Sequence, residues 1–237
     1  MKAVCGRHGA LLIFDEVMCG MGRTGTLHAW EHDGVVPDIQ AIGKCLGSGY
    51  IPISAVLATE RVIAAFQPGS KYFVHGQTYQ SHPLACAAAL EVQHIVQDEN
   101  LVDNVRIMGT YLERLLRDRL GDHPNVGDIR GRGLFWAIEF VANRTTKAPL
   151  DPALKVADLL HVKGMTKGYD VSIFQATGSA DDGHAGDHIL LAPPYVVQKS
   201  DVEEIVDRVG RVVEDVFGEL ALPEVNGSRA DTVSIES

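Results

Sequence analysis

The chain has 237 residues, 46% of them hydrophobic, which is enough for one large or two small domains with a real core. Its formal net charge of −10 at pH 7, with no basic run, argues against nucleic acid and anionic membranes as partners. No stretch approaches the roughly 18 consecutive apolar residues of a membrane-spanning helix.

In chain order, Met1 to Gly9 reads as the end of a helix closed by Gly9 as its C-terminal cap. The start does not read as a signal peptide, because its apolar run is too short and is expected to belong to the next element. That element, Ala10 to Phe14, is an unbroken apolar run stopped by Asp15 and Glu16, the pattern of a strand buried on both faces of a parallel sheet. Ligands collect at the carboxyl ends of such strands, which puts Asp15 where chemistry usually happens. Cys5, Cys19, Cys45 and Cys86 form no C-x-x-C pair, so reduced thiols in an intracellular protein are expected, cytoplasmic first and mitochondrial second.

Gly20, Gly22 and Gly25 spell G-x-G-x-x-G after a strand, as a dinucleotide fingerprint does. The glycines come several residues late, no apolar-periodic helix follows, and Glu31 and Asp33 come too soon for a ribose contact. The stretch therefore reads as a loop. A second short strand, Ile39 to Ile42, ends at Gly43-Lys44-Cys45 and a flexible LGSG run. A P-loop is excluded here, for lack of the earlier glycine and of a following Ser or Thr. An acid at one strand end and a lysine at another form a two-part device. A lysine amine can hold an aldehyde cofactor such as pyridoxal phosphate as a Schiff base, and a carboxylate can keep its pyridine nitrogen protonated.

Further along, Ile53 to Ala58 reads as another buried strand, Thr59-Glu60 opens a short helix to about Phe66, and Lys71 to Gln77 is a loop. His82-Pro83 starts a long helix rich in small residues. Leu101 to Leu120 is a second long helix, with Leu101, Val105, Met108, Leu112, Leu115 and Leu116 at helical spacing. A domain boundary is placed near residue 98, giving domains 1–98 and 99–220. In the second, Val126 to Arg130 and Leu134 to Val141 are strands around the turn Gly131-Arg132-Gly133. Pro152 to Lys167 is a helix and Val171 to Gln175 a strand. TGSADDGHAGDH is a polar loop, and His188 to Pro194 is a strand. The pairs His28/His32 and His184/His188 each lack a third fixed metal ligand, so solvated loops are the better reading and no metal is expected. Ser200 with Glu203 makes a capping box for a last helix to about Leu220, and 221–237 reads as a disordered tail.

The words LLIFDEV, GMGRTG, PDI before IGK, GQTYQSHPLACAAALE, GDIRGRGLFWAIEF and the Ala-Pro-Pro near residue 193 together closely resemble class III aminotransferases. These are pyridoxal-phosphate enzymes of fold type I, and the resemblance covers their C-terminal half. It implies an α/β fold: the C-terminal part of a large mixed or parallel-sheet domain followed by a small α/β domain. It assigns Lys44 as the Schiff-base lysine, Asp15 as the pyridinium partner and Val17 as a contact on one ring face. Thr78 is assigned to the cofactor phosphate across a homodimer interface. The substrates implied are an amino donor and an oxo-acid acceptor. Two positions depart from the pattern. Met18 stands where many members have glutamine. Leu190 stands where members using α-amino acids often carry a carboxylate-binding arginine, which leaves Arg23 or Arg132 for that role, or a donor without that carboxylate. Rival readings are an aminomutase, racemase or decarboxylase on the same scaffold, a non-catalytic remnant, and a nicotinamide dehydrogenase.

Overall fold

The structure, a computed structural model, describes residues 1–180 and 183–220. The expected tail and part of the polar loop before His184 lie outside the described residues. Helix α1 (Lys2–Arg7) closes where Gly9 takes φ +67°. The Ala10 N–H reaches the Cys5 carbonyl at 3.0 Å and the Gly9 N–H reaches that of Gly6 at 3.4 Å. This paired closure needs a left-handed residue, which glycine adopts without a Cβ penalty.

Strand β1 (Ile13–Asp15) then runs parallel to β2 (Ile39–Ile42), with Asp15 opposite Ala41. Strand β3 (Ala55–Ala58) pairs antiparallel with β2, giving a three-stranded sheet in the order β1-β2-β3. The expectation of fully buried outer strands is corrected: Ile13 is 61% exposed and Val56 69%. Both strands are edges of this sheet, and the described residues do not cover both of its faces. Apolar composition marked strands suited to burial, without showing what covers them. Three further elements follow: α2 (Glu60–Ala64), α3 (Pro83–Asp98) and α4 (Leu101–Leu120). In α3 the His82 ring nitrogen Nδ1 accepts from the Ala85 N–H at 3.4 Å, with Pro83 in the first turn.

The second sheet is antiparallel throughout. It comprises β4 (Val126–Arg132), β5 (Phe135–Asn143), the short β6 (Ala148–Pro149), β7 (Phe174–Ala176) and β8 (His188–Leu191). Its order is β4-β5-β8-β7, with β6 on β5. Ile129, Trp136, Ile138, Phe140, Ile189 and Leu191 point to one face and are buried. Helices α4, α5 (Val156–Gly164) and α6 (Lys199–Glu219) join them in a core that runs from Val96 to Phe217.

Several expected boundaries move. The hairpin turn is Gly133-Leu134: β4 runs on through Gly131 and Arg132, and β5 begins one residue later than expected and ends two later, at Asn143. The expected helix from Pro152 is broken. A 3-10 turn, Pro152–Leu154, is capped by Asp151, and Lys155 at φ +49° separates it from α5. Strand β8 stops at Leu191 because Pro193 and Pro194 have no N–H for the ladder. The capping box of α6 is made by Gln198 and Asp201, whose Oδ2 accepts from the Gln198 N–H at 2.8 Å. That pair offers the same reciprocal bonds two residues earlier, and Glu203 instead accepts from the Tyr111 hydroxyl. No helix of the described residues is long and apolar enough to cross a membrane.

His123, just after α4, packs edge-on to Phe217 at 5.2 Å, and its Nδ1 accepts from the Asn125 N–H at 3.2 Å. Burial holds its imidazole below the ordinary value, against the opposing pull of the Glu214 carboxylate. The unfolded chain therefore binds more protons than the folded one between that lowered value and about 6.5, and stability falls as pH drops through this window. Thermal unfolding at several pH values should show Tm decreasing below pH about 6.5, and His123→Gln should flatten that decrease. An unchanged slope in the variant would assign the acid sensitivity to another group.

Candidate active site

Parallel pairing of β1 and β2 brings their carboxyl ends to one edge, with Asp15 at the last position of β1 and Lys44 just beyond β2. Lys44 begins a 3-10 turn, Lys44–Leu46, with φ +40°, a conformation that costs a non-glycine residue about 1 kcal/mol or more unless neighbours hold it. They do: Gln93 Nε2 from α3 donates to the carbonyls of Cys45 at 3.2 Å and Leu46 at 3.0 Å. The Ser48 N–H closes the turn on the Lys44 carbonyl at 2.8 Å. The Asp15 carboxylate accepts from the Val17 N–H at 3.0 Å and remains exposed. Val17 lies along Gly43, its Cγ1 3.4 Å from the point where a Cβ on that glycine would stand.

Of the four site residues expected from the sequence, three, Asp15, Val17 and Lys44, come to this one edge. Thr78 lies in an exposed turn before α3, and no hydrogen bond among the described residues joins it to them. Among the described residues, no hydrogen bond or ion pair engages the Lys44 amine, and no cation pairs with Asp15. An amine with no partner and an exposed carboxylate with no cation, on adjacent strand ends, suit the aldehyde and the pyridine nitrogen of pyridoxal phosphate.

The neighbouring acid has the opposite surroundings. Glu16 is 3% exposed and accepts from the N–H groups of Ala29 and Trp30 and from Gln40 Nε2, each at 2.8 Å. The same Gln40 amide meets His28 Nδ1 at 2.9 Å, and its Oε1 accepts from the Trp30 indole at 3.2 Å. His32 bonds within the same loop, to the Thr24 carbonyl at 3.0 Å. The Cys19 thiol is pushed up first by burial and then by the Glu16 charge, which keeps it protonated. Nothing in the sequence reading singled out Glu16 as structural. The available signal was Gln40, a polar residue inside an apolar strand that needs a buried partner.

Gly20, Gly22 and Gly25 lie in a series of turns between β1 and the 3-10 helix Ala29–His32, as the loop reading expects. Arg23 is committed: its guanidinium donates to the carbonyls of Leu134 and Pro193. Arg132, at the end of β4, is exposed, and its guanidinium makes no hydrogen bond or ion pair among the described residues. Leu190 pairs with Ala137 on one side and Phe174 on the other, on the sheet face opposite the core.

A family model described as aminotransferase class-III matches residues 1–213. An aminotransferase from Gibberella zeae is 51% identical over 92% of this chain and 42% of its own length. Gamma aminobutyrate transaminase 2 of Solanum lycopersicum is 34% identical over 91% of this chain and 45% of its own. Among solved structures, a transaminase from directed evolution by ancestral reconstruction superposes with a TM-score of 0.83 at 37% identity, covering 92% of this chain and 47% of its own. An (S)-enantioselective omega-transaminase from Thermomicrobium roseum gives 0.79 at 32%, covering 90% and 45%. The chain thus spans about half the length of the relatives it matches.

Replacing Glu16 tests the buried network. Glu16→Ala leaves two backbone N–H groups and the Gln40 amide without their acceptor, and urea unfolding should show a loss of about 3 kcal/mol or more. Glu16→Gln, which keeps one acceptor oxygen but turns an amide donor toward other donors, should lose less. A loss within about 0.5 kcal/mol for Glu16→Ala would mean that the carboxylate is not needed to hold the loop.

Proposed function

The chain belongs to the class III aminotransferases, and from that premise we propose that it forms the lysine-bearing half of a pyridoxal-phosphate site that transfers an amino group from a donor to an oxo acid. One observation carries this reading: the parallel register of β1 and β2, which sets Asp15 and Lys44 at the same sheet edge, neither in an ion pair among the described residues. Pyridoxal phosphate, when bound, supplies an electron sink for the bond broken at the donor carbon. Lys44 would hold it through its amine and, once displaced by the donor, would carry the proton removed from the donor's α-carbon. Asp15 would keep a proton on the pyridine nitrogen, and Val17 would press on one face of the ring. Thr78, in its exposed turn, is assigned to the phosphate of a site in a second copy, which makes the working unit a homodimer. Residues 1–98 are assigned to the cofactor domain and 99–220 to the small domain.

Leu190 supports a donor without a carboxylate at that position, an amine or an ω-amino acid, because an apolar side chain there leaves a buried carboxylate unpaired. The name of the tomato relative, a gamma aminobutyrate transaminase, fits that class.

The test is to incubate the protein with pyridoxal phosphate, reduce with borohydride and map the modified peptide. Label on Lys44 is expected, and Lys44→Ala should lose both the label and all donor-dependent turnover. Asp15→Asn should keep the label and lower turnover at least about a hundredfold. A labelled lysine other than Lys44, or turnover in Lys44→Ala, would overturn the assignment. A folded chain that takes no label would show that residues beyond these 237 are needed to build the site.

A further inference from the structure

The geometry points to Arg23 as a positioning residue that sets the Lys44 turn in register with the β4–β5 hairpin and the Pro193 turn, an inference that rests on Lys44 being the cofactor lysine. Arg23 Nη1 donates to the Leu134 carbonyl at 3.1 Å and the Pro193 carbonyl at 2.6 Å. Its Nη2 lies 3.6 Å from the Sγ of Cys45, the residue bonded to Lys44. One side chain therefore touches three stretches otherwise distant in the chain: the lysine turn, the hairpin tip, and the end of β8. The donors of a guanidinium are spread over separate nitrogens in a rigid planar fork, so they can serve acceptors set several ångströms apart, whereas the three donors of an ammonium share one nitrogen.

The contact is built from both sides. The Leu134 N–H returns to the Arg23 carbonyl at 3.1 Å. Gly133, at φ +57°, presses so closely that a Cβ there would lie 2.6 Å from the Thr24 carbonyl carbon. The guanidinium carbon sits 4.6 Å from the centre of the Tyr195 ring, and the Tyr195 hydroxyl donates to the Met21 carbonyl at 2.9 Å. An arginine that binds a carboxylate offers two parallel N–H groups. Here both Nη1 hydrogens go to carbonyls, Nη2 is turned toward Cys45 and one face is covered by Tyr195, so the end-on fork is spent on holding the Lys44 turn.

The experiment uses amide hydrogen exchange, with Arg23→Gln and Arg23→Lys compared with the unsubstituted apo-protein. Exchange in the peptide that carries the Leu46, Gly47 and Ser48 amides, which bond within the Lys44 turn, is read by mass spectrometry as a ratio to exchange in α6 in the same sample. Both variants should raise that ratio about tenfold, since the fork that spans the turn, Leu134 and Pro193 is lost in each. Borohydride-trapped pyridoxal phosphate on Lys44 should fall about tenfold in both. Equal acceleration in both segments would indicate general loosening and overturn the proposal. So would an Arg23→Lys variant that matches the parent, because charge alone would then suffice. If the unsubstituted protein traps no cofactor on Lys44, the cofactor reading fails, while the exchange ratio still decides whether Arg23 holds the turn.

Discussion

The site edge depends on the different surroundings of two adjacent acids. Successive residues at the end of β1 point to opposite sides, so Asp15 faces out at the sheet edge while Glu16 turns in. Buried and accepting three hydrogen bonds, Glu16 clamps the loop at Ala29-Trp30 onto Gln40 in the middle of β2. An uncompensated carboxylate there would cost several kcal/mol. Satisfied, it fixes where the intervening loop begins and ends. That loop carries Arg23 and Thr24, the residues that meet the second sheet.

The two sheets are thus joined by more than the chain running from α3 to α4. Asn104, on α4, donates to the carbonyls of Tyr195 at 2.6 Å and Val197 at 3.0 Å, which seats the stretch after β8 against the helix. Tyr195 in turn reaches Met21 in the loop, and its buried hydroxyl has its pKa raised, chiefly by desolvation. A hydroxyl that stays protonated can keep donating to a carbonyl throughout the neutral range. Each of these bonds adds only about 1 kcal/mol, but they share residues, so their loss is not independent.

Much of this was legible in the sequence where local chemistry decides local structure. Strand β2 has the expected bounds because Pro37 and Gly43 bracket an apolar run, and α4 begins and ends where its spacing places it. Asp15 and Lys44 were legible as strand-end residues, which parallel pairing turns into a shared edge. The rest required tertiary information. The exposure of Ile13 and Val56 depends on what covers the sheet, which apolar composition does not record. The start of α6 depended on two capping pairs of similar quality two residues apart, and the break at Lys155 on a left-handed residue with no distinctive composition. Arg23 carries the same formal signal whether it binds a carboxylate or carbonyls; only the positions of Leu134 and Pro193 decide.

The distribution of satisfied and uncommitted polar groups follows from what each must do. Asp38, 5% exposed, accepts from the Leu12 N–H at 2.8 Å and faces Lys2 at 3.5 Å and Arg61 at 3.4 Å. That backbone N–H, more than either cation, holds its carboxyl below the ordinary range, so Asp38 stays charged and ties α1, β1 and α2 together. Glu16 and Gln93 are framework groups of the same kind, with their capacity used. At the edge these groups support, the Lys44 amine makes no hydrogen bond or ion pair among the described residues, the Asp15 carboxylate accepts from the Val17 N–H and meets no cation, and Lys44 keeps a backbone conformation its neighbours must enforce. On the proposed reading, a group that bonds to a ligand and later releases it is left without a permanent side-chain partner. Rigidity therefore comes from residues one position away: Glu16 beside Asp15, and Cys45, through Arg23 and Gln93, beside Lys44.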